Sequence, residues 1–196
     1  MKQLFEFLGQ FGTFSQRDKE LISQHCEPLH LRKGSNFLEA DKRCTRIGLV
    51  TKGVLRAFFF NDEGKDITKY FIGPEQFATD LRSLNEGILS ETYIQAESDA
   101  ELIVLSQSSL KVLAEEVDNW ETTVKNIIES RLLAKVAQKT AMLNQDATTR
   151  YTNFVKGNPD IFQQVPLGHI ATYLGITQHS LSRIRKSVSD PLFANW

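Results

Sequence analysis

The stretch Ile170–Lys186, IATYLGITQHSLSRIRK, lies near the end of a 196-residue chain. It holds two short apolar-periodic segments, breaks at Gly175 and finishes on Arg-Ile-Arg-Lys. Ile170, Ala171 and Leu174 fall on one helical face. Gly175 is expected to end that helix, because glycine enters the left-handed conformation without a Cβ penalty. Ile176 is placed to plug the space between two helices, and Thr177 to cap the second. In that second helix Leu181 and Ile184 face inward, while Gln178, His179, Ser182, Arg183 and Lys186 face out. The small Ala171 permits a close crossing of the pair.

This is the spacing of a helix-turn-helix, whose second helix enters the major groove of DNA. The outward residues suit that task. Arg183 can pair with a guanine edge and Gln178 with an adenine edge. Thr177, Ser180 and Lys186 can bond phosphates, as can the helix N-terminus, and His179 and Ser182 complete the exposed face. A hairpin that merely packs would show a similar pattern, so the reading rests on seven constrained positions falling together in this stretch. Charge leans the same way. The net charge of the chain is −1, but residues 147–196 carry five basic and two acidic side chains, a modestly basic end on an acidic body.

The rest of the chain divides by texture. Ser15-x-x-Asp18 reads as an N-cap with an acidic first turn, followed by a short helix from Gln16 to Cys26. From Leu29 to Leu105, apolar runs of four to six residues alternate with glycine-bearing turns, the pattern of an antiparallel barrel or sandwich. Lys52-Gly53 and Glu63-Gly64 supply the positive φ that tight hairpins need. The segments VLRAFFF and DITKYFI flank the second turn as hairpin arms. After Ser106, an expected N-cap, glycine disappears until Gly157, and Trp120 to Asn144 predicts one helix about 37 Å long. So long a helix, mixing apolar and charged residues at steps of three and four, predicts a dimer seam. TRYTNFVKGNPDIFQQVP then reads as helix, turn at Gly157-Asn158-Pro159, and a short helical piece.

Several functions are disfavoured. No apolar run approaches the roughly 18 residues of a membrane span. The N-terminus is too polar after Leu8 for a signal-peptide core, so a cytoplasmic location is the expectation. Between Leu29 and Leu105 His30 is the sole histidine, too few for a metal-dependent barrel enzyme. No phosphate-binding loop, nucleophile elbow or His-Glu zinc motif is present, so no catalytic residue and no metal ligand is assigned. Cys26 and Cys44 read as lone buried thiols, with a redox-sensing pair as the alternative. His169 reads as an exposed helix-surface residue. Phe58-Phe59-Phe60 reads as mostly core, and Arg56 and Lys69 as a solvated strand face rather than a cavity lining.

In this order, a glycine-punctuated barrel, a long helix and a C-terminal helix-turn-helix, the chain resembles the Crp/Fnr family of bacterial transcription regulators. VPLGHIATYLGITQHSLSRIRK and VTKGVLRAFFFNDEGKDITKYFIGPEQF carry the resemblance most clearly. It implies an α+β fold: an N-terminal antiparallel jelly-roll barrel of the cyclic-nucleotide-binding type over residues 1–117, a dimerisation helix over 118–146, and a winged-helix-like DNA-binding unit over 147–196. It implies double-stranded DNA and a second copy of the chain as partners, a small-molecule effector, and RNA polymerase as a further contact. The family's nucleotide-binding members carry Gly-Glu-Leu on a phosphate-cradling turn, then Arg-Ser or Arg-Thr. Here Thr79-Asp80-Leu81 stands at the first motif, with Arg82 beside it, and Ser90-Glu91-Thr92 at the second. The arginine that would neutralise a cyclic phosphate is missing and Glu91 adds negative charge, so a cyclic nucleotide is not expected as cofactor. The tail SVSDPLFANW leaves room for a short wing at most. The alternative function is a ligand-binding or protein-interaction module of the same fold whose terminal hairpin does not bind DNA.

Overall fold

The computed structural model describes residues 1–188. The wing expected in the tail falls largely on residues 189–196, outside the described residues.

Two helices lead the chain, α1 (Lys2–Leu8) and α2 (Gln16–His25). The first has no counterpart in the sequence reading. The second begins as expected: Ser15 and Asp18 form a reciprocal capping box, each satisfying the other's backbone N–H. Eight strands follow: β1 (Cys26–Leu31), β2 (Asn36–Leu38), β3 (Arg46–Lys52), β4 (Leu55–Phe60), β5 (Asp66–Ile72), β6 (Phe77–Ala78), β7 (Tyr93–Ala96) and β8 (Ala100–Ser106). A short helix, α3 (Leu81–Glu86), interrupts them between β6 and β7.

The strands form two four-stranded antiparallel sheets, in the orders β1-β8-β3-β6 and β2-β7-β4-β5. The two sheets share one apolar core, built from residues such as Phe37, Val50, Leu55, Ile72, Ile94 and Leu102. This is the jelly roll expected, as a sandwich whose sheets do not close on each other. Its hairpins turn where the glycines predicted. Gly53 has φ +83° and sits so close to the Asp99 carbonyl and Ala100 that no side chain fits there. Gly64 has φ +74° and turns β4 into β5. In that hairpin the register shifts between Ala57, which faces Tyr70, and Phe58, which faces Thr68. Strand β5 is the edge of its sheet, so the outward Thr68 N–H is available to a neighbouring element.

Ser106 caps α4 (Gln107–Glu116), accepting from the Ser109 N–H, as the sequence indicated. Then comes α5 (Trp120–Leu143), the long helix. Its start is apolar and buried: Trp120 and Ile127 pack with Leu4, Phe7, Leu8 and Leu113 in a second core. Further along, cations help to seat the helix. Arg131, Lys135 and Lys139 lie over the rings of Phe7, Tyr70 and Tyr173 at 5.2, 4.0 and 5.1 Å. At steps of four they define one face, and the apolar stripe is left outside. Leu132, Leu133, Val136 and Leu143 are exposed, the last by 84%.

The last four described helices are α6 (Ala147–Gly157), α7 (Pro159–Gln164), α8 (Leu167–Leu174) and α9 (Gln178–Ser187). Tyr151, Phe154, Ile161, Ile170, Leu174 and Leu181 form their core. Val54 and Phe71 of the jelly roll belong to that same core, so the C-terminal helices are docked on the sandwich rather than hung from α5.

Candidate DNA-reading face and effector cleft

The opening stretch folds as its pattern indicated. Helix α8 ends at Gly175, which has φ +68° and returns its N–H to the Ala171 and Thr172 carbonyls. Thr177 caps α9: its hydroxyl accepts from the Ser180 N–H at 3.0 Å and donates to Ser180 Oγ at 2.9 Å. Both hydroxyls thus serve the cap, and the amides beside them point off the start of α9. Leu181 is fully buried and Ile184 packs against the same core. Gln178, His179, Ser182, Arg183 and Lys186 are exposed, with Ser180 half-buried at the edge of the set. Arg185 and Lys186 close the last turn, opposite in sign to the carbonyl end of the helix dipole. The surface that results is polar, cationic and convex, one helix wide, which is the shape a major groove accepts.

The second predicted site lies between the jelly roll and α5, along a cleft of about 1230 Å³. Thr79, Asp80, Leu81, Arg82 and Thr92 line it. Ser90 is buried behind it, and Glu91 is exposed away from it. The Asp80 carboxylate organises this end. One oxygen accepts from the Arg82 and Ser83 N–H groups at the start of α3, at 3.1 and 3.2 Å. The other accepts the Ser90 hydroxyl at 2.7 Å. Ser90 Oγ in turn receives the Thr92 N–H, and Lys69 Nζ donates to the Thr92 hydroxyl at 2.7 Å. Arg82 turns outward and pairs with Glu86 on the surface of α3 at 3.3 Å.

Lys69 therefore faces the cleft, which corrects the reading of it as part of a solvated strand face. Across the cleft, burial lowers the Lys135 ammonium pKa below its ordinary value, and burial raises that of Tyr70, with Asp80 adding to the shift.

The structure also assembles a polar cluster that the sequence reading missed. Arg56 was expected on a solvated face and is instead 1% exposed. Its Nη1 meets Asp66 Oδ2 at 2.6 Å, its Nε donates to Thr68 Oγ1 at 2.8 Å, and its guanidinium lies over the Phe58 ring at 4.4 Å. Glu97, 4% exposed, stands 3.9 Å from the same Nε. His169 of α8, expected on the surface, faces both carboxylates: Nδ1 is 2.7 Å from Glu97 and Nε2 is 3.6 Å from Asp66. No spacing in the sequence joins Arg56, Asp66, Glu97 and His169; only the β4–β5 pairing and the docking of α8 do. Of the aromatic run, Phe58 is buried as expected, whereas Phe60 is exposed and meets Tyr93 edge-on at 5.6 Å. Among the described residues no group of histidine, cysteine and acidic side chains is arranged to hold a metal ion. Nor is any helix among them long and apolar enough to cross a membrane.

No protein-family model and no curated protein matches the chain. Solved structures do. FixK2 from Bradyrhizobium japonicum is similar at a TM-score of 0.69 and 16% identity, covering 83% of this chain and 84% of that one. A protein from Eubacterium rectale described as a transcriptional regulator of the Crp/Fnr family gives 0.69 and 21%, over 88% and 82% of the two chains. The c-di-GMP-responsive global regulator CLP from Xanthomonas campestris gives 0.69 and 13%, over 89% and 91%. The chain thus has the fold of Crp/Fnr regulators across most of its length, which bears out the architecture read from its motifs.

Proposed function

We propose that this chain is a dimeric, DNA-binding transcription regulator of the Crp/Fnr type, cytoplasmic and without catalytic activity. The exposed polar and cationic face of α9, held by the Gly175 turn and the Thr177 cap, carries the reading. Arg183 and Gln178 read bases; Lys186 and the capped start of α9 hold phosphates. A second copy covers the outward stripe of Leu132, Leu133, Val136 and Leu143 on α5, since a monomer would leave these large apolar side chains in water. Two α9 helices then address half-sites about one helical turn apart. RNA polymerase is the partner such a regulator would meet on DNA.

The effector enters the cleft between jelly roll and α5 and is not a cyclic nucleotide. The support is chemical: the α3 amides and the Ser90 hydroxyl that a phosphate would need are already taken by Asp80, a carboxylate of the chain itself. A phosphate placed beside it would be a buried anion against an anion. The test is selection of duplexes from a random pool, followed by titration across salt. A selected two-half-site duplex, bound with affinity that falls steeply as salt rises, is the expected result. Failure to retain any duplex at low salt would overturn the proposal and favour a module that does not bind DNA.

A further inference from the structure

We propose that Arg56, Asp66, Glu97 and His169, with the Thr68–Thr172 pair, form a latch that fixes the angle of the DNA-reading helices on the jelly roll.

The elements that meet here do so in a defined register. On β5, Asp66 and Thr68 are two apart and share a face. On α8, His169 and Thr172 are three apart and share a face. On the edge strand β5, the outward Thr68 N–H reaches Thr172 Oγ1 at 3.3 Å. Between them runs a chain of donors. Arg56 Nε donates to Thr68 Oγ1. The two threonine hydroxyls stand 2.7 Å apart, and Thr172 donates on to the His169 carbonyl at 3.0 Å. The imidazole closes the group, with Nδ1 2.7 Å from Glu97 Oε1.

The apolar part of the same interface, Val54 and Phe71 against Tyr173 and Phe154, tolerates rotation because dispersion and burial are not directional. The polar part does not. Turning α8 by one residue would carry His169 and Thr172 away from all their partners at once. A buried charge cluster is a poor source of stability, since desolvation offsets most of the attraction, and its attested use is to specify one arrangement.

Strand β5 gives the latch its reach. Asp66 and Thr68 look toward α8, while the adjacent Lys69 looks into the cleft and holds Thr92. A ligand that pulls on Lys69 therefore moves the strand that carries the latch, and the reading helices swing between discrete arrangements rather than drifting.

The consequence for DNA rests on the proposed function, so the experiment has one arm that needs no DNA. In full-length Cys26→Ser protein, dyes at Lys33→Cys and Lys156→Cys report the distance from jelly roll to α6, with labelled chains diluted into unlabelled protein. Adding His169→Phe and Thr172→Val should at least double the width of the distance distribution; an unchanged distribution overturns the latch. The second arm uses Thr68→Cys with Thr172→Cys, which places two sulfurs where the oxygens now nearly touch. Oxidised and reduced protein are titrated with a pool-selected two-half-site duplex and with the same duplex after one half-site is scrambled. The ratio of the two affinities should differ at least tenfold between oxidised and reduced forms, because angle matters only when both half-sites are engaged. Binding with equal ratios overturns the latch. Absence of binding to any duplex refutes the DNA reading instead, and the distance arm then decides the latch alone.

Discussion

Replacing Arg56 by methionine removes one cation and leaves two carboxylates and an imidazole facing a buried gap. Methionine keeps much of the volume and its thioether suits the Phe58 face. The loss is therefore electrostatic. Removing one partner of a buried pair costs about 3–5 kcal/mol. The lower end applies here, because the Asp66 side chain is 39% exposed and water can take over part of its solvation. Glu97 cannot be relieved in that way: at 4% exposure it keeps a single close partner, His169. About 3 kcal/mol is expected, equivalent to a fall in Tm of about 6–12 °C for a chain of this size. Urea unfolding followed by circular dichroism gives the free energy, and an unchanged m value shows that the comparison is sound. Combining Arg56→Met with Glu97→Gln should return at least a third of the loss, since the orphaned charge is then gone. A cost below about 1 kcal/mol for Arg56→Met, or no recovery in the double variant, would refute the argument that Arg56 neutralises this cluster.

Three further outcomes follow from other parts of the molecule. Leu132→Glu with Val136→Glu places charge on the outward stripe of α5 and should halve the mass found by sedimentation at micromolar concentration without unfolding the chain; an unchanged mass would move the dimer seam elsewhere. Arg183→Ala should cost about 1–3 kcal/mol per half-site on a selected operator and relax preference at one base pair, whereas Lys186→Ala should weaken all sequences alike and reduce the salt slope by about one; equal losses on operator and random duplex would remove Arg183 from base reading. Burial pushes the Cys26 thiol from 9.0 up to about 11, so at pH 8 it holds about a hundredfold less thiolate than an ordinary cysteine and should be alkylated correspondingly slowly in the folded protein; rapid alkylation would refute the burial and reopen a redox role.

Local chemistry made the fold readable. Gly53, Gly64 and Gly175 all take the left-handed conformation that their places in the sequence required, and Ser15, Ser106 and Thr177 all cap the helices they precede. These signals act within four residues, so no knowledge of the rest of the chain is needed to interpret them. Helix α1 was missed because the polarity after Leu8 speaks against a signal-peptide core and says nothing about packing. Leu4, Phe7 and Leu8 become core only when α4 and α5 arrive beside them. The two faces of α5 were also beyond reach. Its mixed pattern indicated a seam, but spacing alone does not show that Arg131, Lys135 and Lys139 lie over aromatic rings.

The same contrast divides the two candidate sites. The proposed DNA-reading face is one helix, and its outward residues follow from the 3.6-residue period alone. The candidate effector cleft and the cluster around Arg56 are built by pairing distant strands, where periodicity is silent. A lone arginine between apolar residues in LRAFFF gives the alternation of a half-exposed strand, and burial was therefore the less natural reading. What reverses it is the register shift at Ala57 and Phe58, which turns Thr68 and Asp66 toward α8 and lets a helix from the far end of the chain cover Arg56. The residues that would decide how the DNA-reading helices sit are hidden from a one-dimensional reading for the same reason that they can act as a device: each is held by partners that come together only when the jelly roll and the C-terminal helices dock.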